Sequence, residues 1–368
     1  MIVKYCGPAF DYSGYGEANR HDIGALESVG VDVIGEYTKH CLEIAEFGEL
    51  GEIVRSCANK TGDYHIKILH TTPNIYGRFI EPGKYHIGRV FWETDKLPDD
   101  FAQGVKMCQE IWTGSEFNAQ AIRNAGITNI PIYIIPEAIQ TPAPQVEQFI
   151  IPNKDDYRFY SIFEWTERKN PMALLEAFWR EFEGEPNVSL TLKVYIDSFT
   201  PEKRAIIKKK FVDAKAKFGL KHYAPVYLYT HLMNRSEIYR FHKSFNCYVS
   251  AHRGEGWGIP QMEAMLLGNP VISTNCGGIH EYAGAAALLA GCKIIPVTNV
   301  DRNDIWYTAD QHWADVDITE LRKYMRWAYK NQKKAKDLGK DAQKLVNNKF
   351  SFKAVGSQMK DRLTKILQ

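Results

Sequence analysis

A chain of 368 residues with 45% hydrophobic and 24% charged residues has ordinary globular composition, long enough for two cores, which excludes a disordered or fibrous polymer. No apolar run approaches the ~20 residues of a membrane span, and the MIVKYC start lacks signal-peptide architecture. The net charge of +2 hides an acidic first part (12 Lys and Arg against 20 Asp and Glu over 1–150) and a basic remainder (34 against 24), which suits an anionic small ligand in the second part and disfavours a polyanion on the first.

Short apolar runs alternate with amphipathic stretches. They predict strands over 2–6, 31–34, 65–68, 86–90, 110–113 and 133–135, and helices over 17–29, 99–108 and 116–125. That alternation predicts a parallel α/β layering. The stretch 137–153, with three prolines and no apolar period, reads as an interdomain linker. Strands follow over 157–163, 189–195, 226–229 and 247–250, with helices over 171–182, 202–218 and 236–241. Beyond Trp306 the chain reads as helical, and a last helix over 352–367 starts at Ser351 as N-cap. Seven scattered cysteines, Cys41 among them, are odd in number and never in C-x-x-C spacing. They read as reduced thiols of a cytoplasmic protein.

The densest chemistry lies in SAHRGEGWGIPQMEAMLLGNPVISTNCGGIHEYA, residues 250–283. Glu255 and Glu263 stand eight residues apart across the Gly256-Trp257-Gly258 turn. Pro260, Met262, Met265 and Leu266 predict a helix, ended by Gly268 and Pro270. Its unpaired N–H groups lie beside glycines and attract phosphate. Carboxylates accept hydrogen bonds from paired sugar hydroxyls. The combination predicts a nucleotide-sugar site.

This segment resembles the E-x7-E signature of retaining glycosyltransferases of family 4. IWTGSEFNAQAIRNAGI (111–127), RKNPMALLEAF (168–178) and FSFKAVGSQMKDRL (350–363) resemble further parts of that family, so the likeness runs along nearly the whole chain. It implies the α/β GT-B fold, with two Rossmann-like domains facing across a cleft. The expected units are an acceptor-side domain over 1–145, a nucleotide-sugar domain over 146–350, and a helix over 351–368 that packs back on the first. The resemblance implies that Glu255 faces the donor sugar and Glu263 binds the ribose hydroxyls. Gly256, Trp257 and Gly258 line the donor, and the backbone near Leu232 and Met233 touches the base.

Other residues extend the expected site. Gly14 and Gly16, between the first strand and first helix, leave room for a pyrophosphate. Arg168 and Lys169 precede a helix and offset charge on a departing diphosphate. The family's earlier Arg is replaced here by Phe163. In FWETDKLPDDF the chain resembles the subset with a WExD motif. Glu93 is the candidate to steer the acceptor hydroxyl, with Trp92, Asp95 and His70 on the acceptor side. Glu281 is a further acid that either meets the donor or pairs locally. The basic run 203–221 reads as the solvated face of a helix ahead of a membrane or nucleic-acid patch.

The implied reaction is transfer with retention by front-face displacement, without cofactor or divalent metal. A UDP- or GDP-sugar is the implied donor, and a glycan, lipid-linked sugar or other hydroxyl the acceptor. A nucleic-acid acceptor is disfavoured. The rivals are an epimerase-like GT-B enzyme and a non-catalytic nucleotide-sugar-binding protein. Base, sugar, acceptor, linkage and oligomeric state are open at this level.

Overall fold

The structure is a computed structural model that describes residues 1–39, 48–142, 147–149, 157–298, 300 and 305–368. Cys41 and much of the expected linker (143–146 and 150–153) lie outside them. By its internal contacts the chain divides into two units, Met1–Thr141 with Asn347–Gln368, and Pro142–Val346.

In the first unit, β1 (Ile2–Gly7), α1 (Gly14–Ser28), β2 (Asp32–Tyr37), α2 (Gly48–Ala58), β3 (Ile66–Leu69), β4 (Tyr85–Arg89), α3 (Asp99–Val105), β5 (Glu110–Thr113), α4 (Glu116–Asn124) and β6 (Ile132–Ile134) follow one another. The six strands form one parallel sheet in the order β2-β1-β3-β4-β5-β6. Covered on both faces, β3 and β5 are buried at every position, which is why they read as continuous runs instead of alternating ones. The α1 helix begins three residues earlier than its apolar period indicates, because Ser13 caps it by accepting from the Gly16 amide at 3.1 Å.

The second unit holds β7 (Tyr157–Glu164), α5 (Pro171–Glu181), β8 (Val188–Tyr195), α6 (Pro201–Phe218), β9 (Val226–Tyr229), α7 (Arg235–Lys243), β10 (Cys247–Ser250), α8 (Ile259–Leu266), β11 (Val271–Thr274), α9 (Ile279–Ala283), β12 (Leu288–Ala290), β13 (Cys292–Pro296), β14 (His312–Val316), α10 (Ile318–Lys330) and most of α11 (Gln332–Phe350). Its sheet runs β12-β11-β10-β7-β8-β9, and every neighbouring pair is parallel. A core of Phe159, Leu174, Phe178, Trp179, Leu190 and Leu192 fills the space between sheet and helices. The α8 helix ends in a Schellman motif: Asn269 N donates to Ala264 O at 2.9 Å, Gly268 N to Met265 O at 3.0 Å, and Gly268 holds φ +81°.

The stretch after Trp306 is not helical throughout. HWADV forms β14, paired antiparallel with β13, before α10 begins at its Asp317 cap. A five-residue strand gains its stability from the partner strand, so no local period announces it.

The last helix, α12 (Phe352–Leu367), belongs to the first unit. Val355, Met359 and Leu363 repeat every four residues and are fully buried in that unit's core. Gly356 lies so close to α1 that a Cβ there meets the Ala25 carbonyl. Arg362 donates to the buried Glu110 carboxylate at 2.5 Å and covers the Tyr133 ring. Among the described residues no helix is long and apolar enough to cross a membrane.

Candidate active site

The strand order of the second unit reverses between β7 and β10, so the connections leaving these neighbouring strands depart to opposite sides. In open α/β sheets a crevice forms there, beyond the carboxyl ends of the strands. The turn after β7 carries Arg168 and Lys169, and the loop after β10 carries Glu255. The two meet: Lys169 Nζ lies 2.5 Å from Glu255 Oε1, and Arg168 Nη1 lies 3.4 Å from Oε2 and 2.9 Å from the Gly254 carbonyl. A backbone bond of 2.7 Å from Arg253 N to Arg168 O ties the loops together. Asn170, left-handed at φ 51°, turns the chain into α5 and caps it by accepting from Ala173 N at 3.3 Å. Burial by itself raises the Glu255 carboxyl, but Lys169 and Arg168 outweigh it and hold the group at about 2. Glu255 is therefore an anion at neutral pH. Phe163, where the family's Arg is absent, is a buried ring beside Trp165.

Glu263 sits in the second turn of α8, 2% exposed. Arg235, the first residue of α7, donates through Nη2 to its Oε1, and His242 Nε2 lies 3.2 Å from Oε2. The hydrogen-bond order fixes the His242 tautomer. Asn269 Nδ2 donates to the Tyr160 hydroxyl at 2.8 Å, and that hydroxyl donates to His242 Nδ1 at 2.8 Å, which leaves the proton on Nε2 for Glu263. Burial lowers the His242 pKa against the opposing pull of Glu263, so the ring is neutral at pH 7. One carboxylate oxygen is thus held by a neutral imidazole and the other by a half-buried guanidinium.

Between the two acids, Gly258 holds φ +95° and caps α8 without a side chain. A Cβ at Gly258 strikes the Tyr282 hydroxyl, and one at Gly278 strikes the Gly256 carbonyl. Tyr282 donates its hydroxyl to the Trp257 and Gly258 carbonyls, both at 3.1 Å. These two carbonyls are thereby engaged, at a helix start whose amides have no side-chain cap. Trp257 is a buried brace, with its ring against Tyr282 and its N–H on Met262 Sδ. From the other side Gly278 N donates to Glu255 O at 3.1 Å, and the buried His252 donates through Nε2 to Cys276 O at 3.0 Å. Leu232 and Met233 lie in the loop from β9 to α7; Leu232 is exposed. Glu281 is exposed on α9.

The first unit has its own reversal, between β1 and β3. Gly14 and Gly16 follow β1, and His70 follows β3. The start of α1 and the turn after β3 touch: the Tyr15 and His70 rings lie 5.9 Å apart, and Asn19 Nδ2 donates to His70 O at 2.9 Å. Gly14 has open space where a side chain would stand. Gly16 does not, because a Cβ there meets the Asp11 carbonyl, so its smallness lets the start of α1 pack on the loop before it. His70 is fully buried. Its Nδ1 lies 2.6 Å from the Tyr5 hydroxyl and 3.5 Å from Asp22, while Nε2 is buried with no hydrogen-bond partner among the described residues. Asp22 is fixed by Arg89 Nε at 2.9 Å; burial raises its pKa, and Arg89 and His70 bring it down to about 2. Trp92 is in the core, stacked edge-on against Phe101, with its N–H on Thr94. Glu93 and Asp95 flank it, half-buried, in the loop between β4 and α3.

Arg235, His242, Asn269 and His252 escaped the sequence reading. Arg235 and His242 lie on α7, 28 and 21 residues before Glu263, while His252 and Asn269 are near the acids in sequence but act through partners brought in by the fold. The NRSE capping box at the start of α7 was legible, and it fixes the turn that presents Arg235. On α6 the lysines of the basic run point outward, while Ile207 and Ala214 are buried.

Residues 159–296 match the family model described as glycosyl transferases group 1. Over 99% of this chain and 100% of that one, the structure resembles Anabaena HepE in complex with UDP and glucose, with TM-score 0.66 and 14% identity. Sucrose-phosphate synthase of Thermosynechococcus elongatus gives TM-score 0.70 and 14% identity over 100% of this chain and 99% of that one. A provisionally named glycosyltransferase 48 of Sulfolobus islandicus filamentous virus (isolate Iceland/Hveragerdi) is 29% identical over 112 residues. Those residues are 30% of this chain and 36% of the viral protein, so the match spans about a third of that relative's length. The architecture is GT-B, with two Rossmann-like parallel-sheet domains, and the match to the group 1 glycosyltransferase model lies within its second unit.

Proposed function

We propose that this protein is a retaining glycosyltransferase of family 4, in the WExD subset, that moves a hexose from a UDP- or GDP-sugar to an acceptor hydroxyl in the cytoplasm. The observation that carries the reading is the meeting of Lys169, Arg168 and Glu255 at the strand reversal of the second unit, next to the uncapped start of α8. A diphosphate competes for the two cations and releases Glu255 to accept from hydroxyls of the donor sugar. Glu263, held in place by His242 and Arg235, accepts from the ribose. The leaving diphosphate takes up the acceptor proton in a front-face displacement. Lys169, Arg168 and the α8 amides stabilise its growing charge, so the reaction needs no divalent metal. The acceptor, a glycan or lipid-linked sugar, belongs to the first unit, with Glu93 steering its hydroxyl. The Anabaena neighbour, which holds UDP and glucose, supports the choice of donor class.

The test is thermal stabilisation by UDP, GDP, ADP, TDP and their common sugars, with EDTA present. A rise in Tm with one nucleotide family supports the donor site and names the base. No rise with any of them, or a rise only after adding magnesium, refutes the reading. Retention is tested on the product, whose anomeric coupling by NMR must match the donor's.

A further inference from the structure

The ladder between β11 and β12 pairs Ile272 with Leu288, Ser273 with Leu289 and Thr274 with Ala290, and Asn275 N extends it by donating to Ala290 O at 2.8 Å. Beyond the ladder the chain turns, with Cys276 N donating to Thr274 O at 2.9 Å, and Cys292 opens β13. Cys292 Sγ lies 3.6 Å from the carbonyl of Asn275, the residue that precedes Cys276, so the two thiols are neighbours, and each shifts the other's ionisation. Cys292 is half-buried and Cys276 is 8% exposed, so a small oxidant meets Cys292 first. Cys276 also opens the turn whose next residues, Gly277 and Gly278, press against the Glu255 backbone, and its own carbonyl holds His252.

We propose that Cys276 and Cys292 are a redox modification site, closed to a disulfide by exchange with a small disulfide such as oxidised glutathione, and that closure loosens the loop carrying Glu255. In the first step Cys292, as thiolate, attacks one glutathione sulfur, and one glutathione thiolate leaves. In the second, Cys276 as thiolate attacks the Cys292 sulfur of the mixed disulfide, and the second glutathione leaves. The two protons released by the cysteines pass to the two glutathione thiolates, and the two electrons reduce the external disulfide. Joining the sulfurs at about 2.05 Å draws Cys276 toward β13 and away from Glu255, which weakens the Gly278 to Glu255 hydrogen bond. Burial pushes the Cys276 thiol up to about 12 and raises Cys292 as well. Both are therefore thiols at neutral pH, and the site answers sustained oxidation slowly.

The full chain is incubated with oxidised glutathione, quenched with N-ethylmaleimide and mapped by peptide mass. A Cys276–Cys292 cross-linked peptide lacking two hydrogens is expected in the wild type. It is absent in Cys292→Ser and in Cys276→Ala, whichever of the two folds better. Amide hydrogen exchange at Gly278 rises on oxidation and returns with dithiothreitol, a readout that needs no donor. Binding of the nucleotide that stabilises the reduced protein then weakens, and this last arm alone rests on the donor reading above. Single alkylation of both thiols, glutathione kept on Cys292 beside a free Cys276, or a cross-link that leaves Gly278 exchange unchanged overturns the proposal.

Discussion

At the scale of single residues, Glu255 and Glu263 differ in what holds them, and their substitutions should differ too. Glu263 is braced by Arg235 and His242 on both oxygens and accepts from ribose in the proposed reading. Hydrogen bonds to a charged group contribute about 1.5–3 kcal/mol each, so Glu263→Ala should weaken nucleotide binding roughly 10- to 100-fold by calorimetry. Glu255→Ala should leave nucleotide affinity nearly intact and lower kcat on the order of 100-fold, as for other groups that stabilise a transition state. Wild-type affinity and turnover in both variants would remove the site assignment. In the first unit, Arg89 is fully buried and neutralises Asp22. Arg89→Leu leaves that carboxylate buried without its cation, at a cost of about 3–5 kcal/mol measurable by urea unfolding. Little change in the midpoint would show that Tyr5 and His70 suffice to hold Asp22.

At the scale of elements, the glycine turns around Glu255 work by shape. Gly277 holds φ +90°, and a Cβ there would collide with the Glu255 carbonyl, so Gly277→Ala meets both backbone strain and a collision. A cost of about 1–3 kcal/mol is expected, with loss of nucleotide-induced stabilisation. Gly126→Ala is the control, positive in φ as well but in open space on the first unit, and it should keep nucleotide binding. The docking of α12 on α1 depends on Gly356 in the same steric sense. Gly356→Val pushes against the Ala25 carbonyl and should lower Tm by several degrees through a loss of about 1–3 kcal/mol. The legible elements were those with a long local period or clear caps, such as α5, α6 and α12. The illegible ones were short strands such as β14, fixed by pairing with β13, and α9, a single turn after a glycine pair.

At the scale of the whole molecule, buried ionisable groups set the acid limit. Burial lowers the His252 pKa from 6.5 to about 4, with Glu255 opposing. A group with a depressed native pKa adds stability above its unfolded pKa and loses it as pH falls through the native one. His252 therefore contributes on the order of 3 kcal/mol at pH 7, lost between about pH 6.5 and 4. Glu255, lowered from 4.5 to about 2, carries the same sign in a lower window. Unfolding free energy should fall as pH drops from 7 to 4. His252→Gln should flatten that slope, and an unchanged slope would mean that His252 is hydrated in the native state.

The sequence by itself determined the α/β class, most strand and helix positions, the α8 helix with its glycine stop, and Glu255, Glu263 and Lys169 as the residues to watch. These are local matters: hydrophobic period, turn chemistry and caps act within a few residues of one another. It did not show that the Trp92 ring packs against Phe101 in the core, or that Gly16 lies against the Asp11 carbonyl, because both are tertiary contacts. The tertiary structure alone decided the strand order. That order sets the loop after β7 beside the loop after β10 and so joins Lys169 to Glu255 across 86 residues. It likewise decided which distant side chains hold Glu263, and that Cys292 lies beside the turn holding Cys276. The reason is physical: pairing and packing are selected by the total burial of both faces of a sheet, a quantity that no single segment of the chain contains.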